Sequence, residues 1–444
     1  MDRSIFAQIA DQFTDESRLQ SWLDVESALA RSQARLKIIP DRAARDIAEK
    51  CYLEELQVDR YQEMYRETKH PLVPLLQLLR EAVGANGEYV HLGATTHDIV
   101  DIAKMRSLKF VWEAVESILI VIEKKVLDLA EKYARTVMPG RSHNVQALPI
   151  TFGFKAAIWA SEIRRNIERL RSGRHLFVVT FSGANGTMAS FGGKGHELEA
   201  LMAAEFGLGV PDITWHAARD RIAEIASVFA VIGGTLARIA QEVYLLMGTE
   251  TRELLEGYRE GIVGSSAMPH KINPINAQHI MGAARTLRYD AAHCLECMLI
   301  DHEHNLVHFD DERTTVERIG RTMADLMERS YELIDTLYVD EKRMRQNVYL
   351  LDGLILSENV MLALGEKIGK MSAKDVITEI SLIAIKESKS FSDLLKTDRR
   401  VNRFFSTDEI DRLLSPDTYA DSAAAIALAY VAQARSLSEE KEDG

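Results

Sequence analysis

The sequence predicts an all-α protein of three helical domains, with a central bundle of long helices. Three observations predict it. Apolar residues recur at three- to four-residue steps over runs of about twenty residues or more. The chain holds nine prolines, and none lies between Pro274 and Pro416. No Rossmann glycine pattern, phosphate loop or short-period repeat competes with the helical reading.

Residues 1–104 read as an N-terminal domain of shorter helices, with loops around Pro71, Pro74 and Gly93. Residues 105–349 form the long-helix block. Its first helix carries Leu108, Val111, Val115, Ile118, Ile122 and Leu129 on one stripe. A second covers 152–171. A third, over 221–247, places Ile222, Ile225, Phe229, Ile232, Leu236, Ile239, Val243 and Leu246 in the same way. About 27 residues make a helix about 40 Å long. Gly233-Gly234 falls in its middle, where close packing or a bend would offset the lost helix propensity. Further helices cover 280–300 and 313–338, the latter entered through Thr314-Thr315. Such stripes bury themselves against one another, so a bundle follows, extended by oligomerisation. Residues 350–444 form a small C-terminal helical domain. Its acidic tail, Glu439-Glu440-Lys441-Glu442-Asp443, is expected to be disordered and solvated.

Composition narrows the function. The net charge of -13 over 444 residues argues against a general nucleic-acid or membrane surface, while leaving room for a local basic pocket. The N-terminus lacks a signal-peptide apolar run, no stretch of about eighteen uncharged apolar residues appears, and the three cysteines build no disulfide scaffold. A cytoplasmic protein is expected. Cys294-x-x-Cys297 beside His293 lacks a second ligand pair, so both thiols read as small buried apolar groups. His302, His304 and His308 have no carboxylates arranged around them for a metal site, and no metal is expected.

Four polar segments carry the chemistry: Thr68-Lys69-His70-Pro71, His91-Leu92-Gly93-Ala94-Thr95-Thr96-His97-Asp98, Gly140-Arg141-Ser142-His143-Asn144-Val145-Gln146, and Gly264-Ser265-Ser266-Ala267-Met268-Pro269-His270-Lys271-Ile272-Asn273-Pro274. Each precedes a helical pattern, and helix N-termini bind anions. Taken singly, Thr95-Thr96 reads as a helix cap and each histidine as a hydrogen-bonding loop or core residue. Together they offer what elimination beside a carboxylate needs: a base, donors for a doubly charged aci-carboxylate, and an acid for the leaving group. A serine base would need N–H donors and positive charge around it.

These segments resemble, in order, those of the fumarase/aspartase superfamily. Ser-Ser-Ala-Met-Pro-His-Lys-x-Asn-Pro is its signature in the branch of adenylosuccinate lyases and 3-carboxy-cis,cis-muconate cycloisomerases. Gly140 to His143 resembles that branch's Gly-Arg-Thr-His, and Lys69-His70 its Arg/Lys-His pair. The resemblance implies a homotetramer around a long-helix bundle, with each active site shared between subunits. It implies Ser265 as base, His143 as leaving-group acid and His70 as an assisting residue. Thr95, Thr96, Lys271, Asn273, Gln146, Arg318 and Arg3 would bind substrate, with no cofactor. The implied reaction is β-elimination from an N-substituted succinate with release of fumarate, by a carbon–nitrogen lyase similar to adenylosuccinate lyases. The alternatives are a cycloisomerase, a lyase for a non-nucleotide succinyl substrate, and a catalytically silent scaffold. Three departures bear on the choice. Gln278 replaces a glutamate that supports the catalytic histidine, and Arg3-Ser4 replaces an Arg-Tyr pair. Phe309 stands where an arginine is expected five residues before Thr314-Thr315-Val316-Glu317-Arg318. Trp215-His216-x-x-Arg219-Asp220-Arg221 is more similar to the cycloisomerases.

Overall fold

Helices dominate the chain, as the apolar spacing predicts. The structure, a computed structural model, describes residues 4–257, 268 and 271–442, with backbone alone at 306 and 438–442. The helices before the first long one are α1 (Ser4–Asp11), α2 (Asp15–Arg35), α3 (Asp41–Lys50), α4 (Tyr61–Thr68) and α5 (Val73–Val83). The middle of the chain holds α6 (Thr96–Lys132), β1 (Val137–Ser142), β2 (Val145–Thr151), α7 (Phe152–Ser172), α8 (Gly195–Phe206) and α9 (Asp220–Leu246). There follow β3 (Leu254–Leu255), α10 (Ile275–Glu296), α11 (Leu306–Asp335), β4 (Tyr338–Val339) and α12 (Glu341–Val348). The last helices are α13 (Ser357–Ile368), α14 (Lys370–Glu387), α15 (Phe391–Thr397), α16 (Arg399–Asn402), α17 (Thr407–Leu413) and α18 (Asp417–Glu442).

The chain divides into two compact units. One comprises residues 1–120, 165–237 and 279–330; the other comprises 121–164, 238–278 and 331–444. Helices α6, α7, α9, α10 and α11 contribute residues to both.

In the first unit, Trp112 anchors the core. Its ring lies 5.4 Å from Phe177 and 5.6 Å from Phe229, and its indole N–H donates to the Leu170 carbonyl at 2.8 Å. Burial of so large a ring is favourable only with that N–H satisfied. α9 runs unbroken through Gly233-Gly234. A Cβ at Gly233 would lie 3.1 Å from Leu287 and 3.4 Å from the Ala284 backbone, so this glycine serves close packing against α10.

Four buried charges cross-link the same unit. Arg219, just before α9, donates to Asp101 of α6 at 2.8 and 2.9 Å and to Glu312 of α11 at 2.9 and 2.5 Å. Lys104 donates to Asp101 at 2.8 Å and to Glu312 at 2.6 Å. Burial alone would raise the carboxyl pKa of Asp101, but Arg219 and Lys104 outweigh it and hold the group well below the usual range. The quartet is neutral as a whole, and each oxygen meets a donor, as burial of charge requires.

In the second unit, β1 and β2 form an antiparallel hairpin with Ser142 paired to Val145. The sequence reading assigned no strand here. His143 and Asn144 make the two-residue turn with φ of 53° and 64°, the left-handed pair that matches strand twist. Arg141 holds the hairpin to buried Glu253 through two hydrogen bonds of 2.9 and 2.6 Å. Leu356, Val360, Leu364, Phe391, Leu395 and Ile410 centre the C-terminal core. Ser406 and Glu409 cap α17 reciprocally. The acidic tail departs from expectation, because α18 continues through Glu442. An alanine-rich run without glycine or proline favours that continuation over disorder.

Arg219→Leu is expected to destabilise the protein by about 3–5 kcal/mol, because two buried carboxylates would share one lysine. Arg219→Lys should cost less. Thermal unfolding of both variants checks the order, and an Arg219→Leu variant as stable as the parent would contradict it.

Candidate functional site

Asp98 builds the first part of the site. Its fully buried carboxylate accepts from the Thr95 amide at 2.9 Å, the Ser182 amide at 2.8 Å and the Gly183 amide at 3.0 Å, and lies 3.2 Å from His216 Nε2. Reaching back to Thr95, it forms the carboxylate half of a capping box at the start of α6. The half-buried Thr95 and Thr96 thus sit at the N-terminus of a 37-residue helix, where the dipole and free amides favour an anion. Gly93 has φ of 74°, and a Cβ there would lie 2.6 Å from the Phe191 ring, so only glycine fits this approach to the cradle.

His70 meets this cradle. Its Nδ1 accepts from the Leu72 and Val73 amides at 3.3 Å each, which places the ring proton on Nε2, 3.4 Å from Thr96 Oγ1. Burial, with a smaller push from His91, lowers the His70 pKa, which favours the neutral ring. His91 behaves oppositely. Burial alone would lower its pKa, but Glu26, 2.6 Å from Nδ1, outweighs burial and raises it.

The segment at 180–188 escaped the sequence reading. Ser182 and Gly183 donate to Asp98, while Gly183, Gly186 and Met188 all have positive φ. The dense glycines of 183–195 were the available signal. Near it, Glu199 is almost wholly buried, and its Oε1 has no hydrogen-bond partner among the described residues. Burial, then the charge of Asp98, pushes its pKa up to about 7.

Arg318, expected to bind substrate, is held by a carboxylate. Buried Asp290 binds its guanidinium at 2.9, 3.1 and 2.6 Å. The cation expected to hold substrate is therefore already paired. Phe309 packs on the His97 ring at 4.3 Å. Trp215 donates its indole N–H to the Val179 carbonyl at 2.7 Å, and Arg219 belongs to the buried quartet. The similarity of 215–221 to cycloisomerases therefore involves residues that hold the scaffold. Cys294 and Cys297 are free and buried, and burial pushes their thiols up to about 12 and about 11. This matches their reading as apolar groups and leaves little thiolate at neutral pH.

In the second unit, His143 is exposed at the hairpin turn. Gln146, expected to bind substrate, donates to the Asn347 carbonyl at 3.0 Å, and Asn347 donates to Glu253 at 2.7 Å. That amide nitrogen fastens the hairpin to α12. The Gln146 Oε1 is buried without a hydrogen-bond partner among the described residues. Lys271 is exposed and Asn273 half-buried immediately before α10, and Gln278 is exposed on its first turn. Glu256 accepts from the Asn276 amide at 2.7 Å and the Ala277 amide at 2.9 Å, neutralising the α10 N-terminus with a buried carboxylate. Ser265 and Arg3 lie outside the described residues. Of the expected site residues, His70, Thr95 and Thr96 come together in the first unit.

Because the Glu199 pKa is raised, its stabilising protonated state is fully present below the ordinary carboxyl value and is lost as pH rises through about 7. Glu199→Gln is expected to flatten the dependence of Tm on pH between about 4.5 and 8, with its gain over the parent largest on the alkaline side. Identical pH profiles would contradict the assignment.

The Lyase family model matches residues 6–288, and the Adenylosuccinate lyase C-terminus model matches residues 353–429. The chain is 36% identical to N-acetyl-S-(2-succino)cysteine lyase of Dickeya dadantii, over 93% of this chain and 91% of that protein. It is 34% identical to adenylosuccinate lyase of Pyrococcus horikoshii, over 92% of this chain and 91% of that protein. The crystal structure of 3-carboxy-cis,cis-muconate lactonizing enzyme from Pseudomonas putida superposes with a TM-score of 0.92 at 30% identity, covering 98% of this chain and 99% of that one. Similarity of this extent, from the first helices into the C-terminal core, places the chain in the fumarase/aspartase lyase superfamily.

Proposed function

We propose that this lyase eliminates the substituent from a 2-substituted succinate, releases fumarate, and takes a non-nucleotide succinyl substrate. The pairing of Arg318 with Asp290 carries the choice, because a phosphate arriving there would compete with a buried carboxylate. A thioether such as N-acetyl-S-(2-succino)cysteine, the substrate in the name of the Dickeya relative, presents no phosphate. The bond broken would then be carbon–sulfur instead of the carbon–nitrogen bond expected from the sequence. The second reading is adenylosuccinate, supported by the match of the C-terminal segment and by His70.

In the proposed reaction, Ser265 takes the proton from the carbon adjacent to the one bearing the leaving group. The electron pair passes into the neighbouring carboxylate as an aci-carboxylate. Thr95, Thr96, Lys271 and Asn273 stabilise that charge, with His70 donating beside Thr96. Collapse forms the double bond of fumarate and expels the leaving group, which His143 protonates. These groups would be supplied by different subunits of a tetramer. A further observation supports assembly: α9 has a mean hydropathy of 1.7 over its most apolar stretch, of which only half is buried within the chain.

Fumarate release, followed by absorbance, is expected to be faster with N-acetyl-S-(2-succino)cysteine than with adenylosuccinate. Ser265→Ala should lose activity by about a hundredfold or more while the assembly stays intact. Equal rates in Ser265→Ala and the parent would remove the base from the mechanism, and lactone formation without fumarate would replace the reaction. Val231→Asp, on the exposed side of α9, is expected to shift the mass in solution from tetramer to smaller species. An unchanged mass would place the subunit contact elsewhere.

A further inference from the structure

The turn that carries His143 stands out from the second unit. Ser142, His143, Asn144 and Val145 are all exposed, so packing does not fix them. The rung beneath them is fixed instead. Arg141 and Gln146 are cross-strand partners, next to the Ser142–Val145 pair that closes the turn. Their side chains reach one buried group by two routes. Arg141 grips Glu253 through two guanidinium nitrogens, at 2.9 and 2.6 Å. Gln146 donates to the Asn347 carbonyl at 3.0 Å, and the Asn347 amide donates to Glu253 at 2.7 Å. A closed ring therefore runs from one strand through Glu253 and Asn347 to the other.

Glu253 is itself held firmly. It is fully buried, its N–H donates to the Leu246 carbonyl at 2.9 Å, and its carbonyl accepts from the Asp340 amide at 3.0 Å. Asn347 is tied a second time, to the Thr251 carbonyl at 2.8 Å. Gly140 brings the hairpin onto this anchor. The strand register shifts between Pro139 and Arg141, and a Cβ at Gly140 would lie 2.5 Å from the Leu148 carbonyl oxygen. Such a shift re-aims the side chains beside it. A guanidinium held by two hydrogen bonds fixes direction as well as distance. An apolar pair of similar volume would join the strands without the cost of burying a charge, so the ring is suited to precision more than to stability.

We propose that Glu253 is a positioning residue for the leaving-group proton: through its ring with Arg141, Asn347 and Gln146 it fixes the place from which His143 acts. This rests on the fumarate-releasing lyase reading and adds to it the residue that aims its acid. As the carbon–sulfur bond breaks, its electron pair goes to sulfur, and the His143 proton is delivered there. The help this gives grows as the departing thiol becomes less acidic. A displaced acid therefore slows poor leaving groups first and leaves substrate binding unchanged.

Two substrates separate aim from stability. Thiophenolate leaves 2-(phenylthio)succinate with little need of a proton, whereas the alkyl thiolate of S-(2-succino)-N-acetylcysteamine needs one. Glu253→Gln is expected to lower kcat for the alkyl thioether about tenfold more than for the phenyl thioether, with KM nearly constant. Asn347→Ala leaves Arg141 and Glu253 paired and cuts only the cross-tie. It should show the same bias at about threefold, and it decides the matter if Glu253→Gln does not fold. His143→Gln is the reference and should show the full bias. Equal losses on the two substrates in the folded variants, or losses carried by KM, would overturn the positioning role while His143→Gln still upholds the lyase reading. Equal losses in His143→Gln would remove the acid and its support together. A parent that releases fumarate from neither substrate would overturn the thioether reading itself.

Discussion

The cradle depends on one buried carboxylate. Asp98 joins the start of α6 to the 182–183 backbone and to His216, using three amides and one imidazole. An ionised group at this depth is stable only when its lone pairs are occupied. The start of α6, the glycine-rich segment and the His216 ring are therefore fixed together. His70 is added through its own cap on α5, so its donor is aimed by backbone amides instead of by solvent.

The first unit repeatedly pairs its cations with buried carboxylates. Arg219 and Lys104 serve Asp101 and Glu312, and Arg318 serves Asp290. Such pairs contribute specificity of arrangement more than net stability. They also decide what is left for a ligand. A chain with 54 lysines and arginines can still be poor in usable positive charge at a given place.

Much of this was legible in the sequence, for physical reasons. Apolar stripes of period 3.6 over twenty or more residues leave few alternatives, so α6, α9 and α11 were readable. The Thr95-Thr96 segment announced itself as a helix start. The β1–β2 hairpin was not readable, because its prolines broke the strand pattern and its turn uses His143-Asn144 without glycine. Arg318 and Gln146 were named as ligands by their place in a motif, and their pairing with Asp290 and Asn347 was not readable, because contacts across space are invisible in one dimension. Asp290 lies 28 residues from Arg318 and Asn347 lies 201 residues from Gln146, and only folding brings each pair together. Glu199 and the 182–183 amides were missed because nothing local marks a buried carboxyl or a donating backbone.

Glu256 has a consequence for the order in which the chain gains structure. Its carboxylate holds amides of α10 that lie 20 and 21 residues further along the chain, so the first turn of that helix is satisfied by a residue distant in sequence. Such amides are otherwise left to water or to a local cap. The start of α10 is therefore completed only once Glu256 is in place, which ties a local event of helix formation to a contact between separated parts of the chain.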